Sequence, residues 1–126
     1  MKKIKILIIE DDKSLVRIIE EALNHDEFEV ILALSAEEGL AKATSEKPKL
    51  VVLDILLPGE SGFSCLKSLK ENPKTKDIPV IILSNLGQDD EIRQGQKLGA
   101  VDYLVKADFS IDEIIDKSTK AVKNKK

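Results

Sequence analysis

The 126-residue chain is poor in cysteine, histidine and aromatic residues. Its single cysteine, Cys65, excludes an intrachain disulfide bond and a metal centre built from several cysteines. Long apolar runs are also missing, because the N-terminal apolar segment, Ile4 to Ile9, is interrupted by Lys5 and followed by three acids. Such a run is too short for a signal peptide or a membrane span, so we expect a cytoplasmic protein with no membrane contact.

Neither sign of charge dominates the sequence. Charged residues make up 34% of the chain, yet the net charge is only −3 and the pI is near 5.3, which argues against direct DNA binding. No G-x-G-x-x-G loop follows any predicted strand, which argues against a flavin or dinucleotide site. The length fits one domain, so we expect residues 1–126 to form a single domain without an output domain.

Five apolar segments rich in β-branched residues recur along the chain. Near-continuous apolar runs of this length are typical of strands that are buried on both faces of a sheet. The predicted strands are residues 5–10, 28–33, 49–54, 79–84 and 101–106.

Helical patterns separate the predicted strands. The first helix is indicated by apolar residues three and four apart, from Leu15 to Leu23. In the fourth, residues 88–98 contain few apolar side chains and an internal Gly95, so we expect loose packing and mobility. The signals for helix ends are two capping boxes, two prolines, one acidic cap and a glycine: Ser35 with Glu38, Ser110 with Glu113, Pro48, Pro73, Asp89 or Asp90, and Gly99.

A strand followed by a helix, repeated five times, predicts an α/β protein with a doubly wound, five-stranded parallel sheet, (βα)5. Ligand sites in such sheets form beyond the carboxyl ends of the strands. Polar residues end or directly follow four of the five predicted strands, and we take them as candidate site residues: Glu10, Asp11, Asp12, Asp54, Ser84 and Lys106.

Several carboxylates at one edge repel each other unless a cation is present, and Mg²⁺ is the hard cation that suits carboxylate oxygens. Glu10 and Asp11 are predicted to face the metal, whereas Asp12 is better placed as the cap of the first helix. A carboxylate beside Mg²⁺ and a lysine is suited to phosphoryl transfer. In this interpretation Asp54 attacks phosphorus and Lys106 neutralises phosphoryl oxygens.

This pattern resembles the receiver domain of two-component response regulators over essentially the whole chain. Its members have the flavodoxin-like strand order 2-1-3-4-5, which we therefore expect here. The resemblance consists of an acidic pair, a phosphoacceptor within DILLPGESG, a hydroxyl, an aromatic switch residue and a lysine, in order along the chain: Glu10, Asp11, Asp54, Ser84, Tyr103 and Lys106.

The resemblance implies a metal site. Asp11, Asp54 and the backbone carbonyl of Leu56 would bind Mg²⁺ (or Mn²⁺) directly, and Glu10 would act through water. It also implies a switch, in which Lys106 binds the phosphoryl group.

The switch would further involve two side chains near the phosphoryl group. Ser84 would move towards it and Tyr103 would turn inward.

The partners implied by the family are a histidine kinase or phosphotransfer protein as donor and a protein target downstream. The readout would be the face formed by the fourth helix, the fifth strand and the fifth helix, in a monomer or a phosphorylation-dependent dimer. No enzyme activity is expected beyond self-catalysed phosphotransfer and slow autodephosphorylation.

The sequence departs from the family pattern at the site. The lysine is followed by Ala107 where the family usually has proline, and a cis bond before a non-proline residue costs about 3 kcal/mol, so a trans bond and a strained one both stay open. Asn85 stands where a small residue is usual. Leu56 and Leu86 flank the site and influence how water reaches the acyl phosphate.

Two other functions are compatible with parts of the pattern. A haloacid dehalogenase-like phosphatase also uses an aspartate after a strand, but it needs a second acid where this chain has Leu56. A receiver-like interaction module that is never phosphorylated is the other alternative.

Overall fold

A computed structural model of the chain describes residues 3–23, 27–55, 57, 61–84, 89–106 and 110–123. Strands and helices alternate in it, and each predicted strand agrees with an observed one to within one residue at either end. The strands are β1 (Ile4–Ile9), β2 (Phe28–Ala33), β3 (Leu50–Asp54), β4 (Val80–Ser84) and β5 (Asp102–Val105). The helices are α1 (Lys13–Leu23), α2 (Ala36–Glu46), α3 (Gly62–Glu71), α4 (Asp89–Lys97) and α5 (Ile111–Lys123).

All five strands are parallel and lie in the order β2-β1-β3-β4-β5, which confirms the predicted doubly wound sheet. In the register of the central strands, Ile9 of β1 pairs with Leu53 of β3. Asp54 of β3 pairs with Leu83 of β4. The carboxyl ends of β1, β3 and β4 therefore finish side by side at one edge of the sheet.

Alternate residues of the central strands point to opposite faces of the sheet, and each face has its own hydrophobic core. Leu7 and Ile9 of β1 pack with apolar residues of α2 and α3. Ile6 and Ile8 pack with α1 and α5. Because both faces are covered, these strands have the near-continuous apolar sequences from which they were predicted. Among the described residues, no helix is long and apolar enough to cross a membrane.

The predicted helix ends are mostly as observed. Ser35 Oγ accepts a hydrogen bond from the Glu38 N–H at 3.2 Å, and Ser110 Oγ accepts one from the Glu113 N–H at 3.0 Å. Gly99 has φ of +108°, the positive value for which glycine is favoured after a helix.

The fourth helix packs on the sheet through a glycine. Of the nine residues of α4, only Gly95 is buried, which confirms the prediction of sparse packing, whereas the expected mobility stays a prediction. The assignment of Asp89 or Asp90 as its cap is wrong, because both lie inside the first turn. Acidic side chains are stabilised there as well, by the helix dipole.

We predict that Gly95→Ala destabilises the fold although alanine is the better helix former. A Cβ at this position would lie 2.6 Å from Cδ1 of the fully buried Ile82, so α4 or Ile82 must move. Overpacking of this kind outweighs the gain in helix propensity, and urea denaturation should show a loss of about 1 kcal/mol.

The matched control is Gln96→Ala, at the exposed neighbouring position of α4. It should leave the free energy of unfolding within about 0.5 kcal/mol of the parent value. If Gly95→Ala were as stable as this control, the close approach of α4 to β4 would not be what requires glycine.

Candidate functional site

Charged side chains from three strands meet at the carboxyl edge of the sheet. Glu10 follows β1 and Asp54 ends β3, and both are fully buried, with 0% of their surface exposed. Asp11 follows Glu10 and is exposed. Lys106 follows β5, two strands away from β3, and its long stem carries the ammonium back towards Asp54.

The shortest ion pair of the site joins Lys106 and Asp54. The distance from Lys106 Nζ to Asp54 Oδ1 is 2.6 Å, and Nζ lies 3.5 Å from Glu10 Oε1. The Lys106 side chain is 24% exposed, so its ammonium reaches the buried acids while keeping contact with solvent. One ammonium therefore faces two buried carboxyl groups, and their charges are not balanced by this lysine alone.

The pKa of the Glu10 carboxyl is raised from 4.5 to about 7, mainly by burial. The neighbouring Asp54 contributes to this rise, whereas the hydrogen bond from the Asp12 N–H, 2.9 Å from Glu10 Oε2, and the charge of Lys106 oppose it. For Lys106, burial alone would lower the pKa. The hydrogen bond to Asp54 and the negative charges beside it outweigh burial and hold the pKa of Lys106 above its ordinary value.

The acidic residues are arranged in a way that fits a divalent cation. One carboxylate oxygen each from Glu10, Asp11 and Asp54 lies within 4.8 Å of the other two. Glu10 Oε1 is buried and has no hydrogen-bond partner among the described residues. A hard cation that prefers oxygen ligands and keeps part of its water shell suits this set of two buried and one exposed carboxyl groups.

Gly62 supports the backbone of the phosphoacceptor candidate, a role that the sequence reasoning missed. Its N–H donates to the Ile55 carbonyl at 2.7 Å, and a Cβ at Gly62 would lie 2.1 Å from the Asp54 carbonyl oxygen. Only glycine allows the start of α3 to lie this close to the end of β3. The sequence does show two glycines after Asp54, Gly59 and Gly62. Their spacing alone does not reveal that Gly62 contacts the backbone of Asp54.

Asp12 is placed at the start of α1. Its Oδ1 accepts hydrogen bonds from the N–H groups of Ser14 and Leu15 at 3.0 and 3.2 Å, which is the geometry of an N-cap. Its carboxylate is thereby directed to the helix rather than to the three acids of the cluster.

Tyr103 is half-buried on β5 and is contacted by a lysine that the sequence reasoning did not single out. Lys117 Nζ lies 4.4 Å from the centre of the Tyr103 ring and donates to the Tyr103 carbonyl oxygen. The same ammonium forms ion pairs with Asp102 at 3.2 Å and Glu113 at 3.4 Å. Glu113 and Lys117 are four residues apart on α5, a spacing that predicts their ion pair. The contacts of Lys117 with Asp102 and Tyr103 of β5 depend on how the helix packs on the sheet.

Some predicted positions are outside the described part of the chain. The backbone of Ser84 pairs with Val105, but the Ser84 hydroxyl is not described. Four other positions that the sequence analysis singled out lie wholly outside the described residues: Leu56, Asn85, Leu86 and Ala107.

The fold and the site together define a doubly wound α/β domain with an acidic cluster and a lysine at the carboxyl edge. Residues 6–119 match the family model described as the response regulator receiver domain. The chain is 36% identical over 112 residues to response regulator PleD of Caulobacter vibrioides, an alignment that covers 88% of this chain and 24% of PleD.

Solved structures agree with this match. A chain from Chloroflexus aurantiacus J-10-fl, itself assigned as a response regulator, has a TM-score of 0.92 and 30% identity, with 98% of this chain and 100% of that chain covered. The receiver domain of NtrX from Brucella abortus has a TM-score of 0.87 and 26% identity, with 94% and 98% covered. The chain belongs to the response regulator receiver domain family.

Receiver domains are signalling switches of two-component systems. They bind Mg²⁺ at an acidic pocket and interact with histidine kinases and downstream effectors. The chain spans only about a quarter of PleD, so the activity of that whole protein does not transfer to it.

We predict that stability falls as pH rises from about 4.5 to about 7 in metal-free buffer. The folded state holds a proton on Glu10 in this window while the unfolded state does not, so unfolding releases it. The contribution of the Glu10 proton to the free energy of unfolding is fully present below pH 4.5, the ordinary pKa, and is lost above about pH 7. This contribution should be about 3 kcal/mol.

Urea denaturation at a series of pH values with a chelator present measures this slope. Glu10→Gln should flatten the curve, because its amide stays neutral at every pH. Glu21→Gln, at an exposed position of α1, removes the same charge and should keep the parent slope. A parent and a Glu10→Gln curve of equal slope would mean that the buried carboxyl does not hold the proton.

Proposed function

We propose that this domain is a phosphorylation-activated switch that takes a phosphoryl group onto Asp54 from a phosphohistidine. The observation that supports this most is the buried Asp54 carboxylate with Lys106 Nζ at 2.6 Å and two further acids beside it. The alignment with receiver domains over residues 6–119 supports the same assignment.

The reaction is a transfer between two nucleophiles. A carboxylate oxygen of Asp54 attacks phosphorus in line with the P–N bond of the donor. A P–O bond forms, the P–N bond breaks, and its electron pair leaves with the imidazole nitrogen, which takes up a proton. In this proposal Lys106 contacts a phosphoryl oxygen as negative charge gathers there, and the short distance from its ammonium to the attacking carboxylate supports this role.

In this proposal Asp11, Asp54 and the backbone carbonyl of Leu56 would hold the cation, and Glu10 would act through water. Mg²⁺ or Mn²⁺, when bound, supplies neutralising charge for the phosphoryl oxygens and for the carboxyl groups themselves. Before phosphorylation the chain's own contribution is to hold three carboxyl groups of two sequence-distant segments within 4.8 Å, at the cost of burying two of them.

The aspartyl phosphate adds roughly −1.5 to −2 charges next to Lys106. In this proposal Ser84 and Lys106 contact the new phosphoryl oxygens, Tyr103 turns inward, and the face of α4, β5 and α5 changes its affinity for a protein target or a relay partner. Sparse burial in α4, where Gly95 alone is buried, supports a surface that shifts at low cost.

Several finer expectations belong to the same proposal. The donor is a sensor kinase or a phosphotransfer protein, the location is cytoplasmic, and the domain contacts neither DNA nor membrane directly. It works as a monomer or a phosphorylation-dependent dimer, without turnover beyond slow autodephosphorylation.

We predict that a small phosphodonor such as acetyl phosphate, with Mg²⁺, adds one phosphoryl group to the protein, on Asp54. Asp54→Asn should remove the labelling because it lacks the nucleophile, and a chelator should prevent it in the parent. Intact-mass spectrometry measures the extent and peptide mapping the position.

The matched control is Asp77→Asn, which removes one exposed carboxylate ahead of β4, at the opposite edge of the sheet. It should label as the parent does. Labelling that survives Asp54→Asn contradicts the proposal, and a parent that never labels would favour the unphosphorylated interaction module. Repeated turnover of a phosphate ester would favour the phosphatase.

A further inference from the structure

β2 is an outermost strand of the sheet, and its sequence is of a kind that associates readily with another strand. β2 has a sheet partner, β1, on one side only among the described strands. Residues 28–34, FEVILAL, contain six apolar residues and one charge, without glycine or proline. An apolar edge of this composition is a template for pairing with a second chain.

At the C-terminal end of β2, the directions of the backbone N–H and C=O groups follow from one hydrogen bond. The Ala33 carbonyl accepts the Glu10 N–H at 3.0 Å, so the backbone polar groups of Ala33 face β1. Backbone groups alternate in direction along a strand, and therefore those of Leu32 and Leu34 face outward. The Leu34 residue as a whole is 45% exposed.

Two side chains of α2 bond to those outward groups. Lys42 Nζ donates to the Leu32 carbonyl oxygen, and the Leu34 N–H donates to Glu38 Oε1 at 2.8 Å. Lys42 and Glu38 also form an ion pair at 3.1 Å. Whichever way it runs, a neighbouring strand would donate to the first of these backbone groups and accept from the second. The ion pair therefore occupies hydrogen-bonding positions that a sixth strand would need.

We propose that Glu38 and Lys42 are an edge block that keeps β2 from pairing with β2 of a second copy of this chain. A second copy is the partner because the same apolar segment is present in every molecule and two such edges can meet around a twofold axis. A groove of about 410 Å³ opens at this edge. Its lining consists of Leu32 and Leu34, the blocking pair, and four residues of α1: Lys13, Val16, Arg17 and Glu20.

The block is tested by replacing the pair. In Glu38→Ala/Lys42→Ala, the Leu34 amide should exchange with solvent roughly tenfold faster at low protein concentration, because its acceptor is gone. The Glu10 amide, which bonds to Ala33, should keep its protection. At rising concentration, sedimentation velocity should show a dimer beyond the parent's level, and exchange at Leu32 should slow as the dimer forms.

Two control variants test whether association results from loss of the edge block or from loss of any ion pair on a helix. Glu38→Gln/Lys42→Arg keeps an acceptor and a donor and should behave as the parent does. Asp116→Ala/Lys120→Ala removes an ion pair of the same spacing on α5, with Nζ and Oδ2 3.2 Å apart, and in unphosphorylated protein should also leave association unchanged.

Helical circular dichroism of each variant identifies any that fails to fold, in which case Lys42→Ala alone is compared with Lys42→Arg for association. The proposal is overturned if the block variants associate no more than the parent, if Leu34 exchange is unaltered by loss of Glu38, or if the α5 control associates equally.

Discussion

The ion pair between Asp54 and Lys106 is the interaction on which the site depends. A carboxylate with 0% exposure is costly to hold in ionised form unless a cation lies against it, and Lys106 Nζ lies 2.6 Å away. Glu10 makes the same demand from the adjacent strand, and a single ammonium cannot satisfy both. The site therefore keeps an unbalanced negative charge, which either a proton on Glu10 or a bound cation relieves.

This charge arrangement follows from the strand order. β1 and β3 are neighbours, and Ile9 pairs with Leu53, so the residues that come next on the two strands lie side by side. Asp54 is 44 positions from Glu10 and 43 from Asp11 in the sequence, yet their carboxylate oxygens lie close enough to bind one metal ion. β5 is two strands away from β3, so only a long side chain such as that of Lys106 reaches the cluster. Gly62 completes the geometry by letting the start of α3 approach the Asp54 carbonyl, which a Cβ would prevent.

The elements and the main site residues were predictable because each has a local signal. Apolar β-branched runs give the strands, and a charged residue directly after such a run, like Asp54 or Lys106, is conspicuous. What escaped prediction depends on distances between elements far apart in sequence. The contact of Lys117 with the Tyr103 ring and the bonds of Lys42 to the β2 edge belong to this class, because neither residue type nor spacing identifies a backbone partner. Asp89 and Asp90 were misassigned since an acid suits both a helix cap and a first turn.

In the proposed site, Glu10, Asp11 and Asp54 bind one cation beside Lys106. Isothermal titration of the unphosphorylated protein with Mg²⁺ tests it most directly, with Asp11→Asn compared against the distant Asp77→Asn. We expect one bound ion per chain, an affinity weakened by roughly tenfold or more in Asp11→Asn, and no change in Asp77→Asn. Absence of binding in the parent, or equal affinity in all three proteins, would contradict it.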